Sequence, residues 1–127
     1  MKTAMLEHVN VTVAQPQQSA DLMCRLFDWH IRWSGPSAMG GQSVHVGTDT
    51  AYLALYSPEK LKPAAPRSGA TRANLNHIGI VVADLDAVEA RVIKAGYQPT
   101  SHGNYEPGRR FYFDDENGIE FEVVSYG

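Results

Sequence analysis

Apolar and polar residues alternate along several short segments of the chain, a pattern typical of half-buried β-strands. Two of these segments, residues 6–13 (LEHVNVTV) and 75–82 (LNHIGIVV), resemble each other at an offset of 69 residues. In the first, three valines share one face and His8 points to the other. His77 has the same position in the second. The pattern therefore predicts an internal repeat with one histidine in each opening strand.

Each opening strand is followed by a segment with helical periodicity and then by three β-rich segments. The helices are predicted at 19–27 and 85–95, the second capped by Asp84 and stopped at Gly96. The further strands are predicted at 30–34, 42–47, 51–56, 98–102, 109–113 and 119–125. The order β-α-β-β-β thus occurs twice.

Between the two halves lies a segment without apolar periodicity. Residues 58–74 hold three of the seven prolines and read as a linker between a first module of residues 1–57 and a second of 75–127. Since a module of roughly 60 residues buries little surface, the two are expected to close on each other within one domain of 1–127, or to be exchanged in a homodimer.

The charge and composition exclude several classes of protein. The net charge is −3 and no run of Lys or Arg is present, so nucleic acid is not an expected partner. No apolar stretch is long enough to span a bilayer or forms a signal region. The single cysteine, Cys24, cannot form an internal disulfide, which favours a cytoplasmic location.

A candidate metal site follows from the alignment of the last strand of each half. An offset of 68 residues makes Ala54 and Glu122 equivalent, and Glu122 then points to the face of His8 and His77. Two imidazoles and one carboxylate form a facial set that leaves coordination positions open. His8, His77 and Glu122 are therefore predicted to bind a divalent metal ion, with Fe(II) or Mn(II) favoured and Zn(II) or Ni(II) as alternatives.

The alternative is that both histidines are hydrogen-bonded strand residues and Glu122 is a solvated edge residue. His30 and His45 have no histidine at the equivalent repeat position and are predicted to be structural.

Three further side chains are candidates for substrate binding. Asn10 shares the face of His8, and Tyr52 and Tyr56 flank Ala54 on its face, where they could form an aromatic wall for a planar substrate. The same residues could equally satisfy one another on an exposed sheet.

The paired strands carrying His8 and His77, and the run 110–118 (RFYFDDENG) leading to Glu122, resemble the vicinal oxygen chelate superfamily, also called the glyoxalase/bleomycin-resistance/extradiol dioxygenase family. Glu116 stands where the family turn usually has proline. The resemblance covers nearly the whole chain. It implies an α+β fold in which two βαβββ modules form a curved eight-stranded sheet around a metal cleft, with the helices on the outer face.

The resemblance also bears on activity. Extradiol dioxygenase-like members place a Tyr ten residues before the Glu ligand, as Tyr112 stands here, and a His nine residues before that Tyr. His102 precedes Tyr112 by ten. Tyr112 and His102 are thus the implied catalytic residues. Ala54 argues against a four-ligand glyoxalase I site. The five residues after Glu122 leave no room for the phosphonate-binding segment of fosfomycin thiol transferases.

The leading hypothesis is a metal-dependent enzyme acting on a small oxygen-chelating substrate, either a ring-cleaving dioxygenase or a glyoxalase-like lyase or isomerase. One alternative is a non-enzymatic drug-binding protein of the bleomycin-resistance kind. Another is a structural module that uses its sheet for dimerisation.

Overall fold

A computed structural model describes residues 2–127 of the chain. The residues fall into two compact units, the first ending at Lys62 and the second running from Pro63 to Gly127. The boundary lies inside the predicted linker 58–74. No helix of residues 2–127 combines the length and the apolar character needed to span a lipid bilayer.

The first unit contains one helix and one four-stranded sheet. Strand β1 (His8–Thr12) is followed by α1 (Pro16–Phe27), β2 (His30–Pro36), β3 (Gln42–Gly47) and β4 (Tyr52–Ser57). The order across the sheet is β1-β4-β3-β2. The first strand pairs with β4 in parallel, and the other pairs are antiparallel. The parallel pair requires a crossover, which α1 begins.

The second unit repeats this topology. Strand β5 (Ile78–Val81) is followed by α2 (Leu85–Lys94), β6 (Thr100–Tyr105), β7 (Gly108–Asp114) and β8 (Glu120–Ser125). The order is β5-β8-β7-β6, again with one parallel pair between its first and last strands. The predicted α+β fold of two βαβββ modules is therefore confirmed, with the eight strands in two four-stranded sheets.

One face of each sheet packs against the helix of its own unit. In the first unit α1 contacts β3 and β4, and in the second α2 contacts β7 and β8. Alternate strand residues supply these faces because side chains alternate along a strand. The buried strand residues are Val44, Val46, Leu53 and Leu55 in the first unit, and Phe111, Phe113, Phe121 and Val123 in the second. The intervening residues of β7 and β8 consequently point away from α2.

The element boundaries differ from the predicted ones at a few ends. Helix α1 begins at Pro16, three residues before the predicted start, because proline is compatible with the first turn of a helix. Asp84 caps α2 as predicted, accepting a hydrogen bond from the Ala87 N–H at 3.0 Å. Strand β8 ends at Ser125 as predicted, and β4 ends at Ser57, one residue later than predicted. Strand β5 is shorter than predicted, and His77 lies just before it.

A buried carboxylate organises the turn between β7 and β8. Asp115 is 7% exposed, and its Oδ1 accepts hydrogen bonds from the N–H groups of Asn117 and Ile119, both at 2.9 Å. Gly118 completes the turn with φ +80°, a conformation that other residues rarely adopt. This turn sets the start of β8 and hence the position of Glu122 in that strand.

We expect Asp115→Ala to lower the free energy of unfolding by about 1–3 kcal/mol, because it leaves two turn N–H groups without their acceptor. Urea denaturation would measure the loss. Asp115→Asn keeps an acceptor oxygen and should lose less. Equal stability of wild type and Asp115→Ala would show that the turn does not depend on this carboxylate.

Candidate metal and substrate site

The strand registers show which residues of the two modules are equivalent. In the first unit Ala54 pairs with Asn10 of β1 and with His45 of β3. In the second unit Glu122 pairs with Gly79 of β5 and with Tyr112 of β7. The predicted equivalence of Ala54 and Glu122 is thus confirmed by cross-strand pairing on both sides.

Glu122 is the centre of a polar cluster on the face of the second sheet that points away from α2. Its Oε2 accepts a hydrogen bond from the Tyr112 hydroxyl at 2.9 Å and another from Arg110 Nη1 at 3.0 Å. Its Oε1 lies 3.5 Å from Nε2 of His77. The neighbouring position in β5 is Gly79, where an added Cβ would meet only Oε1, at 3.7 Å. The oxygen facing His77 is therefore left accessible by this strand.

The surroundings of Glu122 keep it ionised. Burial alone raises the pKa of its carboxyl group, but the hydrogen bonds from Tyr112 and Arg110 and the charge of His77 outweigh burial and hold the pKa below its ordinary value. The same interaction raises the pKa of Tyr112, chiefly through its hydrogen bond to the carboxylate, with a further contribution from burial. Near neutral pH the pair is consequently a carboxylate and a protonated phenol.

Each site histidine is hydrogen-bonded by the residue that precedes it. Nδ1 of His77 lies 2.8 Å from Oδ1 of Asn76, and Nδ1 of His8 lies 2.9 Å from Oε1 of Glu7. Both partner oxygens are acceptors, so each Nδ1 can donate a hydrogen bond to its partner, and in that tautomer of the neutral ring Nε2 keeps its lone pair. This is the tautomer in which an imidazole can bind a metal through Nε2.

In the first unit His8 belongs to an aromatic cluster centred on Tyr52. The Tyr52 ring stacks on His8, with centroids 4.9 Å apart, and on His45, with centroids 4.7 Å apart. The guanidinium of Arg32 lies 4.3 Å from the Tyr52 centroid, and Trp33 packs against His45. Burial and the charges of His8 and Arg32 lower the pKa of His45. The cluster therefore presents an aromatic surface beside a guanidinium.

The predicted substrate residues have different surroundings in the first unit. Tyr52 lies in the cluster just described and its hydroxyl donates to Glu7 at 3.4 Å. Asn10 is exposed and lies beside Ala54 in the register, whereas Tyr56 is half-buried and lies between Thr12 and Ser43. Of the three, Tyr52 is the one whose ring stacks on a predicted metal ligand, His8.

The structure does not bring His102 together with Tyr112. His102 Nε2 lies 2.7 Å from Oε2 of Glu89 in α2, and its ring lies beside the buried ring of Phe111. Tyr112 follows Phe111 in β7 and so points to the opposite face. The register of β6 shifts between Thr100 and Gly103, which is where His102 lies. Sequence spacing could not reveal this irregularity.

Sequence reasoning missed Arg110 and the residues preceding the two histidines. Arg110 lies two positions before Tyr112, so strand alternation places both on the same face. Glu7 and Asn76 occupy equivalent repeat positions, and both carry an acceptor oxygen. These two signals were present in the sequence. Across residues 2–127, no group of three or more His, Cys, Asp or Glu side chains is placed to hold a metal ion.

The fold is similar to several solved structures. A glyoxylase/bleomycin resistance protein/dioxygenase domain from Frankia sp. EAN1pec has a TM-score of 0.82 at 22% identity, covering 99% of this chain and 100% of that one. TnmS3, an antibiotic binding protein from Streptomyces sp. CB03234, has a TM-score of 0.74 at 18% identity, covering 100% and 99%.

The fosfomycin resistance protein FosX from Listeria monocytogenes, in a complex with Mn(II) and sulfate, has a TM-score of 0.72 at 15% identity, covering 98% of this chain and 93% of that one. At these identities the likeness shows the fold. No curated protein matches the chain in sequence. The family model of the Glyoxalase/Bleomycin resistance protein/Dioxygenase superfamily matches residues 5–123. This chain therefore belongs to that superfamily.

Proposed function

We propose that the protein is a metal-dependent enzyme acting on a small molecule that presents neighbouring oxygen atoms. His8, His77 and Glu122 are its metal ligands, with Fe(II) or Mn(II) the favoured ion and Zn(II) or Ni(II) the alternatives. The observation that carries the proposal is the arrangement of Glu122. Its Oε1 faces Nε2 of His77 at 3.5 Å, while its other oxygen is held by Tyr112 and Arg110.

The donor atoms suit such an ion. One carboxylate oxygen and imidazole nitrogens with free lone pairs are ligands that Fe(II) and Mn(II) accept. Each ligand is also hydrogen-bonded on the side away from the proposed ion. Glu122 accepts from Tyr112 and Arg110, His77 contacts Asn76, and His8 contacts Glu7. Such outer hydrogen bonds orient the ligands of metal sites. In this proposal His8 of the first unit is the third ligand, because it repeats His77 in its position and in the hydrogen bond at Nδ1.

When bound, the ion acts as a Lewis acid that stabilises negative charge on substrate oxygens. Tyr112 holds its proton on Oη because the hydrogen bond to Glu122 raises its pKa. That hydroxyl can exchange its hydrogen bond from Glu122 to a substrate oxygen on which charge develops. Tyr52 stacks on His8 and on His45, and this aromatic cluster can form a wall beside a planar substrate. Asn10 and Tyr56 are the remaining substrate-binding candidates.

The Mn(II) in the FosX complex supports a divalent ion in this fold. TnmS3, an antibiotic binding protein, supports a second candidate function, which is sequestration of a drug or metabolite without turnover. One observation in this chain favours that candidate. Arg110 already balances the charge of Glu122, so the carboxylate does not need an ion for compensation.

We propose further that the protein is cytoplasmic and forms a homodimer. Light scattering would test the dimer.

The deciding experiment uses protein purified without chelator. Its metal content is measured, and the apoprotein is then reconstituted with Fe(II), Mn(II), Zn(II) or Ni(II). Each form is assayed under air with a panel of catechols, where ring cleavage produces a visible absorbance, and with methylglyoxal plus a thiol. Metal-dependent turnover of either class supports the enzyme. Saturable binding of aromatic ligands without turnover or metal dependence would support the binding protein instead.

Removing the oxygen that orients His77 should weaken metal binding. We expect Asn76→Ala to raise the dissociation constant for Mn(II) by about 10-fold to 100-fold, since loss of an outer hydrogen-bond partner has effects of that size. Isothermal titration calorimetry would measure it. Asn74→Ala, in the preceding loop, is the matched control and should bind as wild type does. An unchanged constant for Asn76→Ala would rule out this orienting role.

A further inference from the structure

Arg110 has hydrogen-bonding groups that the described part of the chain does not satisfy. Its side chain is 11% exposed, and Nη1 donates to Glu122 at 3.0 Å. Nε and Nη2 are buried and have no hydrogen-bond partner among residues 2–127. A buried donor left without an acceptor destabilises the fold, so such a group usually marks the place of a ligand or an ordered water.

The two unsatisfied nitrogens form one edge of the guanidinium. Nε–H and one N–H of Nη2 point in parallel, which is the side-on fork with which arginine binds two oxygens of a carboxylate or phosphoryl group. Nη1, on the other side, is occupied by Glu122. The guanidinium that holds the carboxylate facing His77 is therefore the one whose Nε–Nη2 edge is unused.

A tyrosine ring covers this guanidinium. The centre of the Tyr105 ring lies 4.7 Å from the central carbon of Arg110. The ring packs against Gly103, where an added Cβ would come within 2.7 Å of it. Tyr105 ends β6 and is 60% exposed, so its ring lies outside the buried core.

The neighbouring arginine has a different arrangement. Arg109 Nη2 is 2.8 Å from Asp86 at the start of α2, and its side chain is 52% exposed. Arg109 points to the helix side of β7, whereas Arg110 shares the face of Tyr112 and Glu122. Of these two arginines, Arg110 alone combines burial, a free fork and proximity to the candidate metal ligands.

We propose that the Nε–Nη2 edge of Arg110 is a subsite for an oxyanion of the substrate, a carboxylate or a phosphonate. The ring of Tyr105 covers this subsite and moves aside when the anion binds. This inference rests on the proposed function and deepens it, because it names the substrate class. The substrate is a small anionic compound whose charged group lies beside its chelating oxygens.

The test measures anion binding apart from metal binding. The ¹⁵N-labelled protein, with EDTA present, is titrated with lactate, with methylphosphonate and with lactamide, which has the shape of lactate but no charge. The arginine Nε–H resonance that is missing in Arg110→Lys reports on the subsite. We expect it to shift saturably with lactate, with methylphosphonate or with both, and the responding probe identifies the oxyanion. It should not shift with lactamide.

Two variants and one control complete the test. Arg110→Lys keeps the charge but loses the fork, and we expect it to bind the responding anion at least ten-fold more weakly. Arg109→Lys is the matched control and should bind as wild type does. Tyr105→Ala removes the cover, leaves Arg110 in place, and should bind the anion at least as tightly. This variant keeps the test decisive if Arg110→Lys does not fold.

The inference is wrong if the Arg110 resonance does not move in either wild type or Tyr105→Ala, if lactamide moves it as lactate does, or if Arg110→Lys binds with unchanged affinity. Mn(II) binding measured on the same protein separates the two proposals. Mn(II) bound without anion binding overturns this inference alone. Anion binding without Mn(II) binding overturns the metal proposal and leaves the subsite standing.

Discussion

Glu122→Ala is expected to abolish the stabilisation that a divalent ion gives to the protein. An ion that binds only the folded state, at a free concentration about a hundred times its dissociation constant, stabilises it by about 2.7 kcal/mol. For a chain of this length that corresponds to a rise on the order of 10 °C in melting temperature. Without the carboxylate the ion loses its only anionic ligand, and metal-dependent turnover should disappear with it.

The experiment must separate metal binding from folding. Glu122→Ala leaves Arg110 and Tyr112 without their acceptor, and breaking a buried ion pair costs about 3–5 kcal/mol even in the apoprotein. The measured quantity is therefore the change in melting temperature on adding each metal. Glu122→Gln keeps the shape of the side chain and should also lose the shift. Glu120→Ala, two residues earlier in β8, should keep it. Equal shifts in wild type and Glu122→Ala would disprove the site.

Tyr112→Phe is expected to lower turnover by about a hundred-fold to ten-thousand-fold, the range for loss of one proton-transfer or hydrogen-bonding group. The ring and its edge contact with His77 remain, with centroids 5.6 Å apart. Arg110 still holds Oε2 of Glu122, so metal affinity should change far less than turnover. The kinetics are measured at saturating metal, so that any small loss of affinity does not enter kcat.

Two further variants test whether the effect is specific. Tyr97→Phe removes a hydroxyl that donates to Glu116, away from the Glu122 cluster, and should keep full turnover. His102→Ala should do the same, because its ring pairs with Glu89 on the helix side of the sheet. Full activity of Tyr112→Phe would mean that Tyr112 only packs the sheet. Loss of activity in His102→Ala would restore the role that sequence spacing assigned to it.

Local patterns predicted the elements well because the physics that forms them is local. Asp84 caps its helix through an N–H three residues away, and the apolar alternation of β8 sets the direction of Glu122 without reference to distant residues. The equivalence of Ala54 and Glu122 also followed from the repeat alone. Apolar and polar alternation along a strand therefore predicts the face of the sheet on which a side chain lies.

The contacts on that face were harder to predict. The pairing of Arg110 with Glu122 depends on the register of β7 against β8, which the sequence does not specify. The position of His102 depends on a register shift in β6, and the stacking of Tyr52 on His45 depends on the pairing of β3 with β4. Each is decided by cross-strand geometry rather than by spacing along the chain.

Because each sheet is built from one continuous half of the chain, the two halves need not fold at the same time. The last strand of the first sheet, β4, ends at Ser57, well before β5 begins at Ile78. At a synthesis rate of about 5–20 residues per second, the first module can be complete seconds before β8 emerges from the ribosome. The aromatic cluster around Tyr52 must therefore not cause the first module to aggregate during that interval. The proposed metal site, which requires Glu122 of β8, can be completed only after that strand has been synthesised.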